Sequence, residues 1–370
     1  MLLLWLYFHW VSIPSFKMVA ATPDLRLPSL SIVIPVRNES ATISMLLEDL
    51  AAQTDIANSD LCYEIIIVDD ASVDNTAQVI NNFLPTSPYP VRLLSLRVPP
   101  NFNGSHKKLA LQQAIDVATG EVIVTTDGDC RVDPHWLSAI SRFFAQHQPV
   151  LLSGPVTFHH EESFFERLQT IEFASLIGAG AACLQAGQPN MCNGANLAFL
   201  RDAFYKVGGY EGSLHIPSGD DEFLLQKMAR RYPNRLYFIK QSSATVSTYA
   251  QKSVKAFYHQ RKRWAGKWKL HDSYYIAILA VFIFAYHLTT IIVSIFTLLG
   301  QYDWQALIIQ LLPKVLLEYL FLKSVLALIK KPLHPFYFLL MQLIYTPYAV
   351  FFGMRANFGG YTWKDRTYHG

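Results

Sequence analysis

Glu64-Ile-Ile-Ile-Val-Asp-Asp70 and Glu121-Val-Ile-Val-Thr-Thr-Asp-Gly-Asp129 decide the fold. Each is a short β-branched run that ends abruptly in carboxylates. Continuous apolar runs of this length suit strands buried on both faces, as in a parallel sheet covered by helices. Working outward, the same rhythm of strand, polar cluster and helix recurs from residue 30 to about residue 158. Strands are expected over 31–35, 64–68, 92–96, 121–126 and 150–153. Between the first two, Ile43, Leu46, Leu47 and Leu50 fall at i, i+3, i+4, i+7, one face of a helix. Residues 75–83, 107–118 and 134–147 read as further helices. Alternating strands and helices predict an α/β domain with a mostly parallel central sheet.

The rest of the chain changes character. Of 370 residues, 51% are hydrophobic and 16% charged, where a soluble domain carries roughly a quarter charged. This balance excludes disorder and collagen. Residues 1–16 are apolar but short of the roughly 20 needed to cross a bilayer; they read as a membrane-dipping segment, with a signal peptide as the rival. Residues 274–299 hold no charged side chain and predict a transmembrane helix. Residues 335–353 predict a second span. Residues 305–329 contain Pro313, Lys314, Glu318 and Lys323, which leaves crossing or lying in the interface open. Before these spans, Lys252, Lys255, Arg261, Lys262, Arg263, Lys267 and Lys269 form a run without an acid, the mark of a cytoplasmic flank. The expected organisation is an apolar segment 1–17, an α/β domain 28–250, a basic interfacial helix 251–272, membrane helices 273–354 and a tail 355–370. If all three C-terminal segments cross, Lys364 and Arg366 end outside, against the charge rule. Net charge is +3, and its clustering beside apolar spans argues against a nucleic-acid partner. Cys62, Cys130, Cys183 and Cys192 show no zinc spacing or disulfide pattern, in keeping with a reducing compartment.

In an open α/β sheet, ligands bind beyond the carboxyl ends of the strands. Three expected strands end in such clusters: Pro35, Val36, Arg37, Asn38 and Glu39; Asp69 and Asp70; and Asp127-Gly128-Asp129. Two carboxylates on one tight loop suit a divalent ion completed by substrate phosphates. A GxxxxGK[ST] loop is absent, which excludes a P-loop phosphotransferase. Gly178-Ala-Gly-Ala-Ala182 imitates a dinucleotide fingerprint but follows a helical stretch and reads as close helix packing. His159-His-Glu-Glu162 reads as a solvated loop.

Ser31-Ile-Val-Ile-Pro-Val-Arg-Asn-Glu39, Ile67-Val-Asp-Asp70, Lys107-Lys-Leu-Ala-Leu111, Thr126-Asp-Gly-Asp129, Asn193-Gly-Ala-Asn196, Gly219-Asp-Asp-Glu222 and Gln260-Arg-Lys-Arg-Trp264 stand in order. Together they resemble the GT-A nucleotide-sugar domain of family 2 glycosyltransferases over residues 30–264. The resemblance implies a GT-A type α/β fold and an inverting enzyme using Mg2+ or Mn2+. It implies that Pro35, Val36, Asn38, Glu39 and Asp70 hold the nucleoside, with Lys107 near the nucleotide and Lys108 able to share that role. Asp127 would touch the nucleotide, and Asp129, with Asp127, the metal. Asp221 would be the catalytic base, a swap with Asp220 being open. Asn196, Gln260, Arg263 and Trp264 would serve the acceptor and the departing diphosphate. The same resemblance implies a nucleotide-sugar donor, a UDP-sugar, and a lipid or glycan acceptor among membrane lipids, with the catalytic domain at the cytosolic face of the cell membrane. The lipid-modifying branch of the ceramide glucosyltransferase type is the nearer likeness, and a processive cellulose or hyaluronan synthase type is the runner-up. A catalytically silent nucleotide-sugar-binding scaffold is the rival from another class.

Overall fold

A computed structural model describes residues 1–18, 26–54, 62–266, 274–355, 361–363 and 366–368. Lys267, Lys269 and Lys364 lie outside the described residues, as do parts of the segments 251–272 and 355–370.

The strands expected from the sequence form with ends shifted by a residue or so: β1 (Leu30–Val36), β2 (Tyr63–Asp69), β3 (Val91–Ser95), β4 (Val122–Thr125) and, after the two-residue β5 (Arg131–Val132), β6 (Leu151–Ser153). Six more complete the strands among the described residues: β7 (Val156–Phe158), β8 (Leu197–Leu200), β9 (Leu236–Phe238), β10 (Val246–Thr248) and a terminal hairpin of β11 (Tyr361–Trp363) with β12 (Arg366–Tyr368). The central sheet runs β3-β2-β1-β4-β8-β6-β9, and only β8 is antiparallel to its neighbours. β7, β5 and β10 make a small second sheet.

Helices α1 (Leu2–Ser12), α2 (Ile43–Ala51), α3 (Thr76–Phe83), α4 (His106–Val117), α5 (Trp136–His147) and α6 (Phe164–Gln185) are followed by α7 (Arg201–Lys206), α8 (Asp220–Arg231) and α9 (Val254–Ala265). Strand pleating sends alternate side chains to opposite faces, which makes two cores. Ile32, Ile34, Ile65 and Ile67 pack with α2 and α5 on one face; Val33, Ile66 and Val68 pack with α4 and α6 on the other. Because β1 continues to β2 and β3 on one side while β4 returns on its other side, the order reverses between β1 and β4. That reversal opens the crevice in which such sheets bind ligands.

Three long apolar helices follow: α10 (Tyr274–Leu298), α11 (Trp304–Leu328) and α12 (Pro335–Arg355). Among the described residues, α10 and α12 are long and apolar enough to cross a membrane. α11 carries an internal ion pair, Lys314 to Glu318 at 2.9 Å, with Gln342 of α12 also 2.8 Å from Lys314. Its second half packs on α6, where Gly178 leaves no room for a Cβ beside Val325 and Phe321, so the small-residue stretch is indeed a helix contact. Just past the end of α11, Lys331 pairs with Glu161 at 3.0 Å. α12 meets the α/β body at both ends: Arg167 donates to Tyr337 at 2.8 Å, and Arg355 donates to Tyr258 at 3.2 Å. β11 then packs beside α9. The sequence left α11 open and read α12 as a span; α12 has the length and apolarity of one, and residues at both of its ends also contact the α/β body. α1 is likewise seated on the body rather than standing free. Its Trp10 is fully buried against Phe238 and Phe321, and Lys240 donates to the Trp10 carbonyl at 2.8 Å.

Candidate active site

The carboxyl ends of β1, β2 and β4 deliver Pro35, Val36 and Arg37, then Asp70, then Asp127 and Asp129, to one cavity of about 1360 Å3. The left-handed turn at Gly219 (φ 78°) starts α8 and adds Asp220, Asp221 and Glu222 in its first turn. α9 adds Gln260, Arg261, Arg263 and Trp264 from another wall. Residues scattered over more than two hundred positions thus converge because sheet order, not chain order, sets their neighbours.

At the nucleotide end, Arg37 donates to the carbonyls of Asp70 at 2.6 Å and Ala71 at 3.1 Å. Asp70 is 2.9 Å from His106 Nδ1. Asn38 and Glu39 do not line the cavity. Asn38 is in the left-handed region (φ 53°), its side-chain oxygen accepts from the Val73 N–H and its backbone N–H donates to Ser72 Oγ at 3.0 Å, and Glu39 is buried under the loop. They shape the loop, and Arg37 takes the cavity-facing position the sequence reading had given to them.

Lys107 sits between two acids, 2.6 Å from Asp127 and 3.5 Å from Asp220. Burial alone would lower its pKa, but Asp127 and then Asp220 outweigh it and hold the ammonium charged well above the usual lysine range. Lys108 cannot share this role. It is fully buried, points to the carbonyls of Ser213 and Ile216, and lies 4.7 Å from the Phe223 ring.

The Asp221 carboxylate accepts from the N–H of Gly194 at 3.0 Å and from the N–H of Glu222 at 2.8 Å. A Cβ at Gly194 would come within 2.9 Å of Asp220 Oδ2, so glycine there is what admits the acid pair. Asn196, expected to serve the acceptor, is buried beneath: it accepts from the Trp136 indole at 3.1 Å and donates to the carbonyls of Pro155 at 2.8 Å and Ala244 at 2.7 Å. With those bonds made it holds the floor and does not reach the cavity.

The α9 wall holds a residue that sequence reasoning missed. Glu172 of α6 receives Arg261 through Nε at 3.0 Å and Nη2 at 2.5 Å, and Tyr348 of α12 at 2.8 Å. The Arg261 guanidinium lies 4.4 Å from the Phe257 ring and 4.3 Å from the Trp264 ring. Trp264 also stacks on Phe173, ring centroids 5.8 Å apart. Its ring is thus held by Arg261 and Phe173 while it also lines the cavity. Gln260 bonds to Arg261. Arg263 reaches Ser218 Oγ at 3.4 Å beside the turn into α8. Glu172 gave no sequence signal beyond being an acid within an apolar helix.

For a divalent ion, the donor set is the two carboxylates of the loop after β4, Asp127 and Asp129. Among the described residues no group of three or more His, Cys, Asp or Glu side chains converges on one point. Such a pair fits an ion that takes its remaining ligands from water and a bound diphosphate.

Comparison with known proteins places this geometry. The description "Glycosyl transferase family 2" matches residues 31–208, and "Glycosyl transferase family group 2" matches residues 122–356. The chain is 29% identical over 143 residues to undecaprenyl-phosphate 4-deoxy-4-formamido-L-arabinose transferase of Pectobacterium carotovorum, covering 38% of this chain and 41% of that protein. It is 29% identical over 205 residues to poly-beta-1,6-N-acetyl-D-glucosamine synthase of Staphylococcus aureus, covering 51% and 44%. The chain thus spans less than half the length of these relatives. A mannosyltransferase from Pyrobaculum calidifontis, solved with GDP-Man and Mn2+, superposes with a TM-score of 0.54 over 96% of this chain and 91% of that one, at 19% identity. That likeness bears out the GT-A type α/β fold.

Proposed function

Because this chain belongs to the family 2 glycosyltransferases, we propose that it is an inverting enzyme that moves a sugar from a nucleoside diphosphate sugar, a UDP-sugar, to a lipid or lipid-linked acceptor at the cytosolic face of a membrane. The observation that carries this reading is the single cavity shared by Asp70, Lys107, Asp127, Asp129, Asp221 and Arg263.

In one displacement, the acceptor oxygen attacks the anomeric carbon and gives its proton to Asp221. The bond from that carbon to the diphosphate oxygen breaks, and its electron pair leaves with the diphosphate. Two backbone N–H groups bond to the Asp221 carboxylate and fix its direction, as a positioned general base requires. Lys107 and Arg263 furnish fixed positive charge for the leaving group. Pro35, Val36, Arg37 and Asp70 enclose the nucleoside end. Asp129, with Asp127, would hold Mg2+ or Mn2+, which supplies further charge against the diphosphate. Asp220, tied to Lys107, shapes the position of that lysine.

The basic run before α10 supports a cytosolic catalytic domain. The Staphylococcus aureus relative favours a second reading, a polysaccharide synthase, and product length separates the two. The test is a screen of UDP- and GDP-sugars against membrane lipid extracts with purified full-length protein and mass readout. One sugar added to a lipid supports the first reading and a long polymer the second; donor left intact throughout overturns both.

A further inference from the structure

The nucleoside end of the cavity holds a contact that the displacement itself does not use. Asp70 lines that end and is fixed from both β1 and α4. Its N–H donates to the Val36 carbonyl at 2.9 Å, its own carbonyl accepts from Arg37 at 2.6 Å, and its Oδ1 lies 2.9 Å from His106 Nδ1. A carboxylate only accepts, so the hydrogen in that last contact sits on Nδ1. His106, the first residue of α4, stands behind Asp70 and is itself held. Its ring meets Phe102 edge-on with centroids 5.7 Å apart. Ser105 beside it caps α4 by accepting from the Lys108 N–H at 3.3 Å, and a Cβ at Gly104 would strike the Leu214 carbonyl and the Phe102 ring. The pair is mostly buried, with 20% of the histidine and 9% of the aspartate side chain exposed.

Holding Oδ1 changes which base the carboxylate can read. With both oxygens turned to the ligand it would match the paired N1–H and N2–H donors of guanine, the two-pronged contact that carboxylates favour. With Oδ1 committed to an imidazole, the match is to a single ring N–H, the N3–H of uracil, whose flanking carbonyls would repel a second oxygen. Cytosine has an acceptor at that position and would face the carboxylate with no hydrogen between them, a costly arrangement in a buried site. We propose that His106 is the positioning residue that makes this site select uracil, by fixing the Asp70 carboxylate as a one-oxygen acceptor for the base. The inference rests on the transferase reading and deepens it, assigning the preference for a uridine donor to a residue behind the cavity wall.

The experiment titrates full-length protein in phosphatidylcholine nanodiscs with UDP, GDP and CDP in the presence of Mg2+, read by calorimetry. The wild type should bind UDP about tenfold or more tightly than GDP or CDP. His106→Phe keeps a ring against Phe102 but has no donor; it should weaken UDP about tenfold and narrow the preference over GDP to about twofold or less. His106→Asn, whose amide nitrogen falls where Nδ1 stood, should restore most of that preference. An unaltered melting temperature shows that each variant has folded, and His106→Ala takes the place of His106→Phe should that one fail to fold. Equal weakening of all three nucleotides, an unchanged UDP-to-GDP ratio in His106→Phe, an Asn variant no better than the Phe one, or a wild type that prefers GDP overturns the proposal and leaves the transferase reading in place. A wild type that binds none of the three nucleotides sinks the transferase reading and this proposal with it.

Discussion

Lys107 and Asp127 meet at 2.6 Å with 19% and 34% of their side chains exposed, whereas Arg261 and Glu172 meet at 2.5 Å with 2% and 6% exposed. Both pairs border the same cavity. The first is open on the side where a ligand enters, so its charges can be shared with a diphosphate or a cation. The second is closed by rings and by the Tyr348 hydroxyl, and ties α9 to α6 and α12. The contrast separates charge kept for chemistry from charge kept for shape: losing the first should cost turnover, and losing the second should cost the wall itself.

The sharpest way to break this contrast is at the base. Asp221→Asn should lower transfer by about 10²- to 10⁴-fold, with donor affinity within about twofold, read by steady-state kinetics and UDP-sugar titration. Near-normal turnover would remove Asp221 from its role. Next, Asp129→Ala, or a chelator added to the wild type, should lower transfer by about 100-fold or more; full activity in excess chelator would leave no place for a divalent ion.

On the closed side, Glu172→Ala leaves Arg261 buried without its acid and should destabilise the protein by about 3–5 kcal/mol, measured by denaturant unfolding. Glu172→Gln should recover part of this. A smaller effect is expected at Lys107. Since its folded pKa lies above the unfolded value of about 10.4, its contribution to stability is fully present below that pH and is lost only as pH rises through the folded value. The difference in Tm between wild type and Lys107→Met should therefore stay constant from about pH 7 to pH 9, and a change within that window would show that the pairing with Asp127 is not as described. Finally, a cysteine appended after Gly370 should be modified from the same side as the catalytic domain, as the seating of β11 beside α9 implies; labelling only from the opposite side would mean that α12 crosses.

Much of the open side was legible in the sequence. Runs such as Ile65 to Val68 and Val122 to Val124 announce buried parallel strands, and acids placed just after them announce a ligand-binding edge. What escaped depended on partners far along the chain. Glu172 meets Arg261 across 89 positions, and no local pattern marks that meeting. Asn196 stands in a motif that reads as functional, yet its amide is consumed by Trp136, Pro155 and Ala244. Lys107 and Lys108 are indistinguishable as text; the turn of α4 sends one to the cavity and the other into the loop at Ser213. Strands of three residues, such as β7, β9 and β10, are too short to carry a period. The tethering of α12 rests on Arg167 and Tyr258, which hydropathy does not register.

The seat of α1 has a practical consequence. Lys240 places its ammonium on the carbonyl of Trp10 and 4.5 Å from that indole ring, while Phe238 and Phe321 press against the same side chain. A shortened protein starting at Lys17 would strip this cover, leaving a lysine without its acceptor and an oily face open to water. Soluble preparations of the catalytic body should therefore keep the first sixteen residues, and trimming them to improve yield should bring aggregation instead.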